Sequence, residues 1–152
     1  MYKVLISIFF LFLLFPLNTN ASEDSISQFT YGYLKRVNDF LSEGDFENAE
    51  KELSIISKRY FLNENSYERS LINQLWGNLY ATQTKYEEAI DAYEASLRFR
   101  KIPLITNLQV RTNLAQCYFQ VKNFKKVIDV LLVYKEEAEK RGQEFSPKNR
   151  IL

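Results

Sequence analysis

The central part of the chain places large apolar residues at the spacing of an amphipathic helix. Trp76, Leu79 and Tyr80 form one group with i, i+3, i+4 spacing. A second group follows the same rule and consists of Tyr86, Ala89, Ile90, Tyr93 and Leu97. Because the segment ATQTK between the two groups is short and polar, the pattern predicts two antiparallel helices joined by a tight turn.

Two small residues interrupt this pattern of large ones. Gly77 follows the only tryptophan of the chain, and Ala89 lies between Tyr86 and Tyr93. A glycine inside a helix costs about 1 kcal/mol relative to alanine, so its position needs a reason in packing. We expect Gly77 and Ala89 to lie where the two helices cross.

Two further segments repeat the hairpin pattern. Ala49, Ala89 and Val127 occupy corresponding positions at spacings of 40 and 38 residues. The sequence therefore predicts an all-α chain of three hairpins, in repeats at about 30–63, 70–103 and 108–141. The six expected helices span roughly 27–42, 46–60, 66–82, 86–99, 105–120 and 124–140.

The first residues have the pattern of an export signal. One cation, Lys3, precedes an apolar run of twelve residues, 4–15, which Pro16 ends. The run is shorter than the ~20 residues that span a bilayer, and small residues end at Ala21 where a signal peptidase would cut. We expect residues 1–21 to be a secretory signal and 22–152 to be the mature domain. The alternative is an uncleaved segment that anchors the chain to the membrane.

Composition excludes several classes of function. Twenty Lys and Arg balance nineteen Asp and Glu, so no long-range field would attract nucleic acid. The chain has no histidine and no glycine-rich phosphate loop, and neighbouring carboxylates such as Glu87 and Glu88 diverge on a helix. We therefore expect a protein that is not an enzyme and has no cofactor or metal. The single cysteine, Cys117, cannot form an internal disulfide, and its apolar surroundings favour a packed thiol over a reactive one.

The central hairpin resembles a tetratricopeptide repeat (TPR). Gly77, Tyr80, Ala89 and Tyr93 match that repeat in register, while Pro103 falls two residues late. The resemblance implies a right-handed α-solenoid of about three hairpins that acts as a scaffold for protein–protein interaction.

A longer stretch is similar to a narrower group. The motifs YER, AIDAYE and NLAQCYFQVKNF resemble those of exported TPR proteins that accompany TonB energy-transduction systems in Gram-negative envelopes. This resemblance implies a periplasmic accessory protein with a protein or peptide partner in the cell envelope. The alternative is a TPR protein of outer-membrane or peptidoglycan maintenance.

The resemblance also implies where a partner binds. In this family the first helices of the repeats line a concave face, and one repeat position on that face is an amide three times: Asn38, Asn78 and Gln116. A side-chain amide can both donate to and accept from the backbone of an extended peptide. No cation maps to the face, which disfavours a ligand held by its carboxylate. The candidate binding residues are Asn38, Gln74, Asn78, Gln109, Thr112, Gln116, Phe119 and Gln120.

The segment 142–152 begins like another helix. Ser146 and Pro147 are typical of an N-cap and a first helical position, and Ile151 and Leu152 would be exposed at the end of a solenoid. Three interpretations stay open: the array continues in a longer protein, the tail folds back, or a partner covers the exposed end.

Overall fold

A computed structural model describes residues 26–60, 67–99 and 102–140. These residues form six α-helices and no strand, so the all-α prediction is confirmed for this part of the chain. The expected signal 1–21 and the tail 142–152 lie outside the described residues. The helices are α1 (Gln28–Glu43), α2 (Phe46–Tyr60), α3 (Tyr67–Thr82), α4 (Tyr86–Leu97), α5 (Leu104–Gln120) and α6 (Phe124–Lys140).

The same turn joins the two helices of each hairpin. Gly44, Thr84 and Lys122 have left-handed backbone conformations, with φ of 76°, 60° and 59°. In every turn this residue donates its N–H to the carbonyl three residues earlier, and the next residue donates to the carbonyl five residues earlier at 2.9 Å. This pair of bonds is a Schellman motif, which satisfies the free carbonyls at a helix end. The three turn residues are 40 and 38 residues apart, the spacing that the sequence pattern predicts.

The residue after each turn residue lies directly before the second helix, at its N-cap position. Asp45 and Asn123 act as caps, because their side-chain oxygens accept from the backbone N–H of Asn48 at 3.2 Å and of Lys126 at 3.3 Å. Lys85 lies at the same position and makes no side-chain cap. The first turn of α4 instead carries two acidic residues, Glu87 and Glu88, which interact favourably with the helix dipole.

Within each hairpin, the start of the first helix meets the end of the second. Thr30 and Tyr60 join α1 to α2 through hydroxyls 2.6 Å apart, and the Ser96 hydroxyl joins α4 to α3 by donating to the Ser70 carbonyl at 2.9 Å. In the third hairpin an apolar cluster of Leu108 with residues of α6 occupies this place. The three helix pairs are therefore antiparallel.

The first helices of neighbouring hairpins lie side by side. The Ser27 N–H, at the start of α1, donates to the Glu68 carboxylate at the start of α3 at 2.8 Å. The hydroxyl of Tyr67 is 3.3 Å from that of Thr106, near the start of α5. Since α1, α3 and α5 run in the same direction, they form one layer whose starts are aligned.

The core is continuous through α3. One cluster of buried residues joins α3 to α1 and α2, and another joins α3 to α4, α5 and α6. Gly77 lies at the contact between α3 and α4, where a Cβ atom would be 2.5 to 2.8 Å from the ring of Tyr93. Ala89 and Tyr93 are both completely buried. The small residue at 77 thus makes room for a tyrosine side chain of the second helix.

Alanine should have opposite effects at two helical glycines. In Gly77→Ala the new methyl group would overlap the Tyr93 ring, and we expect the free energy of unfolding to fall by about 1–3 kcal/mol. In Gly32→Ala the Cβ would meet only the flexible end of Arg36, at 3.6 Å, so better helix propensity should raise it by about 0.5–1 kcal/mol. Urea denaturation of the mature domain measures both. A stabilising Gly77→Ala would contradict the packing described for α3 and α4.

Glycine should stabilise the second and third turns. Thr84 and Lys122 adopt a conformation that costs a non-glycine residue about 1–2 kcal/mol. We expect Thr84→Gly and Lys122→Gly each to raise the free energy of unfolding by about 0.5–1 kcal/mol after the greater freedom of the unfolded chain is included. Gly44→Ala is the matched reverse change, because a Cβ there meets nothing within 4 Å, and it should destabilise through backbone strain alone. If all three variants shifted stability in the same direction, the equivalence of the turns would be wrong.

Candidate functional site

The three repeated amides share one register in the structure. Asn38, Asn78 and Gln116 each lie six residues before the left-handed residue of their turn. They therefore occupy corresponding places on α1, α3 and α5, the helices that form one layer. The sequence pattern assigns these three amides to the same repeat position, and the turn geometry agrees with that assignment.

The eight candidate residues differ in exposure. Gln74 is 6% exposed, and Phe119 is 50% exposed. Those that are partly buried are Asn38, Asn78, Gln109 and Thr112, while Gln116 and Gln120 are exposed. The face thus changes from enclosed on α3 to open at the end of α5.

Asn78 belongs to a partly buried hydrogen-bond network, which we call the amide network and which consists of Tyr93, Asn78, Asn113 and Gln109. The Tyr93 hydroxyl donates to Asn78 Oδ1 at 2.7 Å, and Asn113 Nδ2 donates to the same oxygen at 3.3 Å. Gln109 Nε2 then donates to Asn113 Oδ1 at 3.1 Å. The network links α3, α4 and α5, and it joins two of the candidate residues to the core: Asn78 through Tyr93 and Asn113, and Gln109 through Asn113.

Burial fixes the protonation state of the groups beside this network. It raises the pKa of the Tyr93 hydroxyl well above its usual value, and the nearby Cys117 adds to the shift while Asn113 opposes it. Tyr93 therefore remains a neutral donor. Burial also raises the pKa of the Cys117 thiol to about 12, which makes the thiolate scarce at neutral pH. These conditions agree with a packed cysteine.

Several polar groups of the face make no hydrogen bond within the described residues. They are the side-chain amides of Asn38, Gln74 and Gln116, the Nδ2 of Asn78 and the Oε1 of Gln109. Thr112 donates its hydroxyl proton to the Leu108 carbonyl at 2.9 Å, so it can only accept from a ligand. The arrangement offers donors and acceptors along one layer of helices, with Phe119 as an apolar neighbour.

Arg111, the cation near the middle of α5, interacts with residues outside the set of eight candidates. Arg111 Nε donates to Asn107 Oδ1 at 2.8 Å, and burial lowers the pKa of the guanidinium while Glu137 of α6 opposes that shift. Since Glu137 lies on α6, Arg111 belongs to the contact between α5 and α6. None of the eight candidate residues is charged.

Sequence reasoning missed Asn113 and the role of the Tyr93 hydroxyl. Asn113 is 7% exposed and lies among apolar neighbours, where a polar side chain requires a partner. A buried tyrosine likewise needs an acceptor for its hydroxyl. These two hydrogen-bonding requirements, in α4 and α5, could have indicated a polar contact in the core, but they do not identify the partner of either residue.

Comparisons of the chain with protein-family profiles, with curated proteins and with solved structures found no match. Among the described helices, none is long and apolar enough to cross a membrane. The same residues contain no group of three or more potential His, Cys, Asp or Glu metal ligands.

Two of the three repeated amides, Asn78 and Gln116, should differ in their effect on stability. Asn78→Ala removes the acceptor of two buried residues, Tyr93 and Asn113, and we expect it to lower the free energy of unfolding by about 1–3 kcal/mol. Gln116→Ala changes an exposed residue and should stay within about 0.5 kcal/mol of the parent.

A double-mutant cycle of Asn78→Ala with Tyr93→Phe tests the direct contact. We expect the two changes to be non-additive, because each removes the same hydrogen bond. Strict additivity in denaturation experiments would mean that the bond contributes nothing to stability.

Proposed function

We propose that this protein is a periplasmic scaffold of the TPR type that binds an extended segment of an envelope protein along α1, α3 and α5. The observation that carries the proposal is the amide at one register of three parallel helices, six residues before each turn. An amide at that place can bond to a peptide backbone whatever the side chains of the peptide are.

The architecture supports a solenoid. Each helix packs mainly against its neighbours in the sequence, and α1 also contacts α3. Repeat proteins have this pattern because each unit contacts only the adjacent ones. Three equivalent hairpins are also the number that such a stack usually needs for stability.

The state of Asn78 refines how a peptide would bind. Its Oδ1 is occupied by Tyr93 and Asn113, so only its Nδ2 is available as a donor to a peptide carbonyl. Asn38 and Gln116 can offer both a donor and an acceptor. We infer that these two residues align the peptide and that Asn78 adds one fixed donor between them.

The location and the first partners to test follow from the sequence. The segment 1–21 has the pattern of an export signal, and the motifs around AIDAYE and NLAQCYF resemble accessory proteins of TonB systems. The first candidates are therefore the periplasmic domains of TonB, of its motor subunits and of its receptors.

Calorimetric titration of the mature domain with each purified candidate tests the proposal. For a candidate that binds, Asn38→Ala combined with Gln116→Ala should weaken affinity by about one to two orders of magnitude, since two hydrogen bonds of about 0.5–1.5 kcal/mol each are lost. Asn78 stays unchanged in this variant, so the amide network remains intact.

Gln28→Ala is the matched control, because it removes an exposed amide at the start of α1 and should leave affinity unchanged. Equal affinity of the parent and the double variant would reject Asn38 and Gln116 as peptide-binding residues. Absence of binding to every candidate would reject the association with TonB.

A further inference from the structure

The even balance of charge over the whole chain hides an uneven distribution along one edge of the stack. Because α1, α3 and α5 run in the same direction, the three turns that follow them lie along one edge, which we call the turn edge. The equivalent segments around the turns are 41–50, 81–90 and 119–128. The first contains four acidic residues and no cation, the second contains one lysine and two glutamates, and the third contains three lysines and no acidic residue.

The three lysines of the third turn are all exposed. Lys122 is the left-handed residue of the turn, and Lys125 and Lys126 lie in the first turn of α6. None of the three makes an ion pair within the described residues. The residues of the first hairpin that correspond to Lys125 and Lys126 are Glu47 and Asn48. The third turn therefore carries a local excess of positive charge.

Two aromatic rings lie beside these lysines. Phe119 and Phe124 flank the third turn, are 50% and 53% exposed, and make an edge contact at a centroid distance of 5.7 Å. The turn holds them together, because the Lys122 N–H donates to the Phe119 carbonyl at 3.0 Å. At the corresponding positions of the second hairpin, Ala81 is 5% exposed and Tyr86 packs against the core. The third turn thus differs from the second in apolar exposure as well as in charge.

The acidic residues of the first turn lie too far away to neutralise the third. Neighbouring packed helices are about 8–10 Å apart, and α3 separates α1 from α5, so these turns are roughly 20 Å apart. The Debye length at physiological ionic strength is about 8 Å. Closer acidic residues are Glu87 and Glu88 beside Lys85 of the second turn, and Asp129 one turn further along α6. The three lysines outnumber Asp129, and Lys85 offsets one of the two glutamates.

We propose that the third turn docks on an anionic phospholipid bilayer. Lys122, Lys125 and Lys126 contact lipid phosphates, and the rings of Phe119 and Phe124 enter the boundary between headgroups and acyl chains. Surfaces that combine lysines with exposed apolar side chains bind membranes in this way, and each cation near an anionic surface strengthens the attraction. The first turn, being acidic, is repelled by the same surface, so the charge distribution also sets the orientation of the molecule.

The shape of the third turn favours a bilayer over an acidic protein as the partner. A turn between two helices is convex, and its two rings protrude. A fluid lipid interface adapts to protruding side chains, whereas a protein partner needs a matching pocket for them. The proposal does not depend on the peptide site, with which it shares only the end of α5.

Cosedimentation of the mature chain, residues 22–152, with lipid vesicles tests the proposal. This chain lacks the apolar run 4–15, so that run cannot cause binding. The probes are vesicles of phosphatidylcholine alone and vesicles of phosphatidylcholine and phosphatidylglycerol in equal amounts. We expect the partition coefficient to be at least tenfold higher for the anionic vesicles, since several lysines contribute, and to fall as salt is added.

A charge variant and a matched control locate the contact. The charge variant replaces the lysines of the third turn: Lys122→Gln, Lys125→Gln and Lys126→Gln. It should lower the partition coefficient about a hundredfold, because each lysine near an anionic surface contributes about fivefold. The control removes the same net charge from exposed cations elsewhere and should bind like the parent: Lys51→Gln, Lys58→Gln and Arg98→Gln.

Phe124 tests whether side chains enter the bilayer, since it is not one of the eight candidate peptide-binding residues. Phe124→Ser should lower the partition coefficient about tenfold, because an apolar ring no longer leaves water. In Phe124→Trp, lipids brominated on their acyl chains should quench the new tryptophan. The parent is the control for quenching, because its only tryptophan, Trp76, is half-buried and donates to Ser57 of α2 at 2.9 Å.

Three results would overturn the proposal. Equal binding to both kinds of vesicle, or no binding to either, would exclude an anionic bilayer as the partner. Equal loss of binding in the charge variant and its control would exclude the third turn as the contact. Binding that depends on the lysines but not on Phe124, with no quenching in Phe124→Trp, would replace the bilayer by an acidic protein surface.

Discussion

The contact between Tyr93 and Gly77 sets the geometry of the second hairpin, and Asn78 connects it to the third. The ring of Tyr93 fills the place that a side chain at position 77 would take, and its hydroxyl reaches Asn78 one residue further along α3. Asn78 in turn accepts from Asn113 of α5. A completely buried side chain of α4 thus helps to fix how α3 lies against α4 and α5, and the spacing of the candidate binding face on α3 and α5 depends on this contact.

Much of the fold could be predicted because it depends on local patterns. Helix periodicity and the spacing of Ala49, Ala89 and Val127 place six helices within about two residues of their observed bounds. The turn residues were harder, since only Gly44 is of a type that favours a left-handed conformation. Thr84 and Lys122 adopt that conformation because the Schellman hydrogen bonds and the packing of both helices require it. The residue types at these two positions therefore do not indicate their left-handed conformation, because tertiary structure imposes it.

The candidate site could be predicted only in outline. Counting positions along the repeats locates the backbone of Asn38, Asn78 and Gln116 correctly, because the register is carried by the helices. It does not reveal whether an amide is already bonded, since that depends on a tyrosine fifteen residues away and an asparagine thirty-five residues away. Asn78 is consequently both a candidate ligand of a peptide and a structural residue. A set of repeated polar residues can therefore be interpreted as a binding surface only when the hydrogen-bond partners of its buried members are known.

The two ends of the described helical stack differ in chemistry. On the α1 side, the guanidinium groups of Arg36 and Arg59 lie 4.3 Å and 4.1 Å from the rings of Tyr33 and Phe29, and Arg36 also pairs with Glu52 at 2.8 Å. Cations over aromatic faces keep those rings compatible with water. On the α6 side, Phe124, Ile128 and Leu132 are 53%, 59% and 61% exposed, and no helix in the described part of the chain packs over them. Charged side chains thus cover aromatic rings of the first hairpin, whereas the apolar side chains on this face of α6 are exposed directly to solvent.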